Sequence, residues 1–123
     1  MNTSKEKTLI IGATTNPSRY AYTAAHRLIQ YGHKIAQIGL RQGEVAGVPI
    51  STARENYEDI DTVTLYVGPR HQPEYYDYVV SLRPRRVIFN PGTENGEFES
   101  RLSAEGIEPI EACTLVMLAT GQY

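Results

Sequence analysis

Residues 8–13 of the chain, Thr-Leu-Ile-Ile-Gly-Ala, are a short apolar run that ends in small residues. The run is continuous rather than alternating and rich in branched side chains, which is typical of a strand buried on both faces of a parallel sheet. The next segment, residues 19–31, places its apolar residues on one face of a helix, and Gly32 ends it. A buried strand followed directly by an amphipathic helix predicts a parallel α/β arrangement.

The same alternation continues along the chain. Four or five strands, each followed by a helix or a long loop, predict right-handed crossovers and a parallel sheet with helices on both faces. The further strands are predicted at 34–40, 62–67, 86–89 and 107–110, with a short extended segment at 48–50, and the further helices at 73–82 and 97–105.

Composition limits the classes of protein to which the chain can belong. Its 123 residues are enough for one core but not for two domains, and 12 basic against 14 acidic residues give a net charge of −2. This charge balance gives no overall positive potential that would attract nucleic acid or an anionic membrane, so an anionic ligand needs a local site of positive charge. Cys113 is the only cysteine, which excludes an intramolecular disulfide and a cluster of thiolate ligands, and the three scattered histidines predict no metal site.

The N-terminal residues carry no targeting signal that the sequence reveals. Residues 1–7 are polar and are expected to form a loose N-terminus, and the apolar run after them is too short for a signal peptide or a membrane span. The expected location is the cytoplasm.

The residues after each predicted strand are the candidates for a site, because parallel sheets bind ligands beyond the carboxyl ends of their strands. After the first strand, residues 12–20 combine free main-chain N–H groups at a helix start with three hydroxyl side chains, which suits a phosphate. This loop is neither G-x-G-x-x-G nor a Walker phosphate loop, because Thr14 and Pro17 stand at glycine positions and G-K-[ST] is absent. An ordinary strand-to-helix turn is the alternative.

The end of the second strand bears on the kind of nucleotide. A free ribose 2′-hydroxyl is usually bound there by an acidic residue, but the chain has Arg41 and no acid before Glu44. A basic residue favours a ribose that carries a further phosphate, as in NADP or coenzyme A. A solvated arginine is the alternative.

The third strand end supplies contact groups but no complete catalytic set. Gly68 and Pro69 allow a ligand to lie against the backbone, and Arg70 can meet a phosphate. His71 is the only histidine at a strand end, yet no nucleophile or orienting acid is near it in the sequence. Cys113 lies far along the chain among apolar residues, where a buried thiol is more common than a nucleophile.

The fourth strand end, residues 90–96, is dense in turn and capping residues. Glu94 could serve as an acid or a base, or it simply lies beside a helix capped by Thr93 or Asn95. The helix after the third strand carries three tyrosines within residues 75–78, and they cannot all face the sheet. Because tyrosine is enriched at interfaces, a homodimer is a further hypothesis.

Five short motifs occur in a fixed order along the chain. They are residues 11–17 (IGATTNP), 47–50 (GVPI), 67–69 (VGP), 90–95 (NPGTEN) and 111–113 (EAC). This ordered set, which spans nearly the whole chain, resembles the CoA-binding domain family of small proteins, which are similar to the CoA-binding domain of the succinyl-CoA synthetase alpha subunit. The resemblance implies one Rossmann-like three-layer α/β domain over residues 1–123, with a parallel sheet of about five strands.

The resemblance also implies which residues hold the ligand. The first loop would hold the pyrophosphate, and Arg41 would meet the 3′-phosphoadenosine in place of a family lysine or arginine. Val67 and Pro69 would flank the adenine or the pantetheine. The full set is Gly12, Ala13, Thr14, Thr15, Asn16, Ser18, Arg19, Tyr20, Arg41, Val67, Gly68, Pro69, Arg70, Pro91, Gly92 and Asn95.

Three hypotheses about function follow. The leading one is binding of coenzyme A or an acyl-CoA without catalysis, since the second domain of the synthetase, with its phosphorylated histidine, has no counterpart in 123 residues. The alternative is a small enzyme, either an NADP-linked oxidoreductase or a thioester hydrolase that uses His71 and Glu94. A structural subunit that presents its tyrosines to a partner is the third.

Overall fold

The computed structural model describes residues 5–123, and its strands form one seven-stranded sheet. The strands are β1 (Lys7–Ala13), β2 (Lys34–Gly39), β3 (Gly43–Val45), β4 (Val48–Ser51), β5 (Ile60–Leu65), β6 (Arg86–Phe89) and β7 (Glu108–Glu111). The helices are α1 (Tyr20–Gln30), α2 (Tyr76–Leu82), α3 (Gly96–Ala104) and α4 (Thr114–Ala119), and 3-10 turns lie at Pro69–His71 and Pro73–Tyr75. Residues 1–4 of the predicted loose N-terminus lie outside the described residues, and Lys7 already belongs to β1.

The order of the strands in the sheet is β3-β4-β2-β1-β5-β6-β7. Every neighbouring pair is parallel except β3 with β4, which is antiparallel. Without the edge strand β3, this is the order of doubly wound nucleotide-binding sheets, in which the direction of winding reverses between β1 and β5. The Rossmann-like α/β prediction is therefore confirmed, although the sheet has seven strands rather than about five.

The two additional strands form a hairpin. The sequence predicts a glycine-punctuated loop with a short extended end, whereas residues 43–51 fold into β3 and β4. Ala46 and Gly47 at the turn have φ of 56° and 79°, and positive φ at both central positions matches the twist of a two-residue hairpin. The buried Gln37 of β2 donates its Nε2 protons to main-chain carbonyl oxygens on both sides of this turn, at 3.1 and 3.0 Å. A side chain of the neighbouring strand β2 therefore stabilises the hairpin.

Helices cover both faces of the sheet. Ile10 of β1 packs in one core with α1 and α4, whereas its neighbours Leu9 and Ile11 pack in the other core with α2 and α3. Because successive side chains of a strand point to opposite faces, the two cores lie on opposite sides, which gives three layers. The alanine-rich face predicted for the first helix is the buried one, with Ala21, Ala24, Ala25 and Leu28.

The last helix, α4, is not predicted from the sequence, where residues 114–118 are treated only as apolar neighbours of Cys113. Six residues are too few to show a helical period, and Cys113 at the N-cap position supplies no side-chain cap. The cap comes instead from Asn90, the residue after β6, because the N–H of Thr114 donates to its Oδ1 at 2.9 Å. A capping group 24 residues away leaves no local signature.

The tyrosines of residues 75–78 are covered by the chain itself. Tyr75 is buried, Tyr76 stacks on Phe98 with ring centroids 4.4 Å apart, and the hydroxyl of Tyr78 donates to the carbonyl oxygen of Glu55 at 2.6 Å. Tyr76 and Tyr78 are half-buried, and all three tyrosines have contacts within the chain, so the homodimer stays a prediction.

The two edges of the sheet are short. The edge strand β3 has three residues, and β7 at the other edge is Glu-Pro-Ile-Glu with both glutamates exposed. The longer and largely buried strands β1 and β5 lie at the centre.

Candidate ligand-binding site

The carboxyl ends of β1, β2 and β5 approach one another closely where the winding reverses. Gly12 at the end of β1 has φ of +95°, and a Cβ there would lie 2.8 Å from the main-chain oxygen of Tyr66. A Cβ on Gly39 at the end of β2 would lie 2.3 Å from the main-chain oxygen of Ala13. Neither position has room for a larger residue. The first loop and the residues after β5 are therefore brought together, as the strand-end argument predicts.

The first loop is held in shape by its own side chains. Oγ1 of Thr14 accepts the N–H of Asn16 at 3.1 Å, and Oδ1 of Asn16 accepts both the N–H of Ser18 at 3.0 Å and its hydroxyl at 2.8 Å. Thr15 packs against the hairpin, because a Cβ on Gly43 would lie 2.5 Å from its Cγ2. The carboxamide oxygen of Asn16 thus organises the loop.

The start of α1 lies at the end of this loop and is uncapped. Arg19 occupies the N-cap position in an extended conformation, no side chain among the described residues caps the helix, and its first turn contains no acidic residue. Tyr20, the first helical residue, is 75% exposed. The first N–H groups of this eleven-residue helix therefore carry positive potential that no side chain among residues 5–123 neutralises.

The loops after β5 and β6 are joined by a buried glutamine. Gln72 donates its Nε2 protons to the carbonyl oxygens of Val67 at 2.9 Å and Thr93 at 2.7 Å, and its Oε1 accepts Nδ2 of Asn95 at 2.9 Å. Its side chain is fully buried. Gln72 could not be predicted from the sequence, because its partners lie in two different loops and no local pattern marks it.

The loop after β6 is closed by its own polar groups. Asn95 caps α3 by accepting the N–H of Phe98 at 3.3 Å, and it also donates to the hydroxyl of Tyr76 at 2.8 Å. Glu94 accepts the N–H of Gly92 at 2.9 Å. Of the two capping residues that the sequence allows, Thr93 and Asn95, it is Asn95 that caps α3. Glu94 stabilises the loop.

A polar network lies beneath these loops, between β5, β6 and α4. Asn90 is 2% exposed and donates Nδ2 protons to Oγ1 of Thr64 at 2.7 Å and to the carbonyl oxygen of Leu65 at 2.8 Å. The hydroxyls of Thr64 and Thr114 are 2.8 Å apart. Burial raises the pKa of the neighbouring Tyr66 to about 12, so its phenol is neutral at pH 7. This network positions the strand ends and is not open to a ligand.

A groove of about 450 Å³ lies beyond the ends of β2 and β4. Leu40 is 89% exposed here, and Tyr75 is buried. The guanidinium of Arg54 lies 5.0 Å from the ring centroid of Tyr75 and 3.7 Å from the carboxylate of Glu74. Arg41, the predicted cation, is exposed beside Leu40 but is not among the lining residues. The residues that line the groove are Ile38, Gly39, Leu40, Thr52, Ala53, Arg54, Glu74 and Tyr75.

Arg54 and Glu74 could not be predicted from the sequence, for a topological reason. The sequence predicts only a short extended segment at 48–50, so it predicts no strand end at the residues that follow. In the sheet, β4 is a parallel neighbour of β2, and the residues after β4 therefore reach the same edge as Arg41.

A model of the CoA binding domain family matches residues 6–119. The chain belongs to the CoA-binding domain family. A crystal structure described as that of an uncharacterized protein is 52% identical to this CoA-binding domain, with a TM-score of 0.94, and the match covers 98% of this chain and 100% of the other.

Two more distant structures share the fold of the CoA-binding domain. Cell-free ID.343 from Thermus thermophilus is 22% identical with a TM-score of 0.84, covering 97% of this chain and 91% of its own. A hypothetical protein from Pyrococcus horikoshii OT3 is 22% identical with a TM-score of 0.84, and the match covers 95% of this chain and 83% of the other. No curated protein matches the chain.

Two candidate catalytic groups of the CoA-binding domain, His71 and Cys113, lie in different elements. His71 is exposed at the end of a 3-10 turn, and Cys113 is half-buried at the start of α4. Within residues 5–123, no three His, Cys, Asp or Glu side chains are grouped to hold a metal ion. None of the helices in that range combines the length and the apolar composition that a membrane crossing requires.

Four exposed arginines lie at the carboxyl edge of the sheet in this CoA-binding domain. Arg19, Arg41, Arg54 and Arg70 follow the ends of β1, β2, β4 and β5, in that order. Local positive charge of this kind is how a chain with a net charge of −2 can attract an anion.

Proposed function

We propose that the chain binds coenzyme A or an acyl-CoA at the carboxyl edge of its sheet. The observation that carries this proposal is the uncapped start of α1 at the point where the winding reverses, in a chain that belongs to the CoA-binding domain family. A diphosphate is the natural partner of unneutralised N–H groups at such a helix start. Membership of the CoA-binding domain family supports coenzyme A as the source of this diphosphate.

In this proposal the pyrophosphate lies against the first loop and the first turn of α1. Gly12 keeps the loop close to the end of β5, because any larger residue would collide with the main chain of Tyr66. The residues assigned to the pyrophosphate are Gly12, Ala13, Thr14, Thr15, Asn16, Ser18, Arg19 and Tyr20.

The remaining parts of the ligand follow the strand ends on either side. Arg41 is assigned to the 3′-phosphate on the side of β2. The ends of β5 and β6 are assigned to the adenine or pantetheine and to the outer part of the ligand. The residues there are Val67, Gly68, Pro69, Arg70, Pro91, Gly92 and Asn95.

We propose that binding occurs without catalysis by the domain itself. The alternative enzymes, an NADP-linked oxidoreductase and a thioester hydrolase, need a group held in a fixed geometry near the ligand. His71 lies exposed at a turn, and the carboxylate of Glu94 is engaged with the N–H of Gly92 at 2.9 Å. No specific observation favours either enzyme, and the cytoplasmic location likewise stays a prediction.

Titration calorimetry with CoA, dephospho-CoA, NAD and NADP tests this proposal. We expect CoA to bind and dephospho-CoA to bind more weakly, by about 1–3 kcal/mol, because the 3′-phosphate loses its charged contacts. The substitution Arg41→Ala should reduce the difference between the two ligands. Arg27→Ala, which changes an arginine in the last turn of α1, is the control and should leave both affinities unchanged. Absence of heat with CoA at millimolar concentration would contradict the proposal.

A further inference from the structure

The groove beyond β2 and β4 holds an arginine and a glutamate that the proposed site does not use. Arg54 comes from the loop after β4, and Glu74 comes from the 3-10 turn before α2. Their charged groups are 3.7 Å apart, and the side chains are 48% and 56% exposed. Both charged groups are therefore accessible to a ligand in the groove.

The position of Arg54 is set by contacts on two sides. In its loop, Oγ of Ser51 accepts the N–H of Ala53 at 3.1 Å and donates to the carboxylate of Glu55 at 2.7 Å. On the other side, the guanidinium lies 5.0 Å from the ring centroid of Tyr75, a buried side chain. A planar cation held against an aromatic ring loses little further freedom when it binds a phosphate.

The groove also offers apolar surface beside this cation. Leu40 is 89% exposed, which is more than any other large hydrophobic residue among those the structure describes. Gly39, which precedes it, also lines the groove and packs against the main chain of Ala13. Apolar surface next to an arginine suits an aromatic base whose ribose carries a phosphate.

We propose that Arg54 binds the ribose phosphate of the ligand and that Glu74 competes with this phosphate for Arg54. The inference rests on the proposed function and adds a second cation to Arg41. When the phosphate binds, the guanidinium exchanges one anionic partner for another, and the carboxylate of Glu74 is released to water. An exposed ion pair is weak, so a phosphate dianion can displace it. Glu74 thereby lowers the affinity for phosphorylated ligands and has little effect on ligands without the phosphate.

The test measures CoA and dephospho-CoA affinities for the full chain and three variants. Glu74→Gln is expected to tighten CoA by about two- to fivefold and to change dephospho-CoA less. Arg54→Met keeps the apolar stem over Tyr75 but removes the charge, and it is expected to weaken CoA about tenfold or more while sparing dephospho-CoA. In the double variant, the gain from Glu74→Gln should disappear.

Each outcome bears on the proposal separately. If wild-type protein binds CoA but Arg54→Met does not reduce its preference for CoA over dephospho-CoA, Arg54 does not bind the phosphate and the inference fails alone. If Glu74→Gln tightens CoA equally in the Arg54→Met background, Glu74 acts by repulsion and the competition is wrong. If wild-type protein binds neither ligand, the proposed function falls and this inference with it.

A matched control is available at the other side of the molecule. Glu105 pairs with Arg83 at 3.4 Å, also on the surface, and neither residue lines the groove. Glu105→Gln should leave both affinities unchanged. CoA and dephospho-CoA are compared on the same variant. A general loss of stability therefore affects both affinities alike and leaves their ratio unchanged.

Discussion

Replacing Gly39 by alanine is expected to lower the free energy of unfolding by about 3 kcal/mol and to weaken ligand binding. The new Cβ would lie 2.3 Å from the main-chain oxygen of Ala13 and 3.1 Å from a side-chain carbon of Ile50. A main-chain oxygen in the central strand cannot move aside cheaply, so β2 must shift away from β1. Urea unfolding measures the first effect, and titration with CoA measures the second.

Gly96 provides the control for this substitution. A Cβ at Gly96 would meet no atom within 4 Å, and this residue begins α3 with an ordinary φ. Gly96→Ala should leave stability unchanged or raise it by about 0.5 kcal/mol, because alanine restricts the unfolded chain. An unfolding midpoint for Gly39→Ala that equals the wild-type value would show that β1 and β2 separate freely at this edge.

Asn90→Ala is expected to lower the free energy of unfolding by about 4 kcal/mol. The substitution removes the partners of two buried main-chain groups, the carbonyl of Leu65 and the N–H of Thr114. Each buried group left without a partner costs about 1–3 kcal/mol. Because the N–H of Thr114 is the first of α4, the helix should also fray, which amide hydrogen exchange at residues 114–119 can detect.

The matched control is Asn56→Ala, at an exposed position in the loop before β5. It should change stability by less than about 0.5 kcal/mol, as is usual for surface substitutions. If Asn90→Ala were no more destabilising than this control, the hydrogen-bond network would not be what positions α4. Retained protection of the α4 amides would lead to the same conclusion.

The central strands could be predicted from the sequence because burial on both faces produces continuous apolar runs. The first strand was predicted one residue short at its start, and β6 has the predicted bounds, Arg86–Phe89. The third predicted strand, 62–67, was placed too late, because β5 is Ile60–Leu65. Asp61 is a typical turn residue, but here it pairs with Arg85 at 3.0 Å and remains within the strand.

Elements that depend on distant partners could not be predicted in this way. The hairpin turn places Ala46 at positive φ, which is unusual for alanine, and the side chain of Gln37 supports it from β2. The same reason explains α4, whose cap belongs to Asn90. In both cases the stabilising group is supplied by another element, so no window of sequence contains the complete signal.

The candidate site shows the same division. Its place at the strand ends follows from topology, and topology follows from the alternation of strands and helices. Arg54 and Gln72, by contrast, lie near the other residues only because β4 joins the sheet and because two loops fold over one side chain. The place of Arg54 and Gln72 in the candidate site is visible only in the folded chain.

The two edges of the sheet bear on how copies of this protein can associate. The edge strand β3 offers three residues, and β7 presents exposed Glu108 and Glu111 around Pro109, which has no N–H to donate. Edges with these features resist the addition of a strand from another molecule. Continuous cross-molecular sheets are therefore disfavoured, and any self-association has to use the helical faces or the loops.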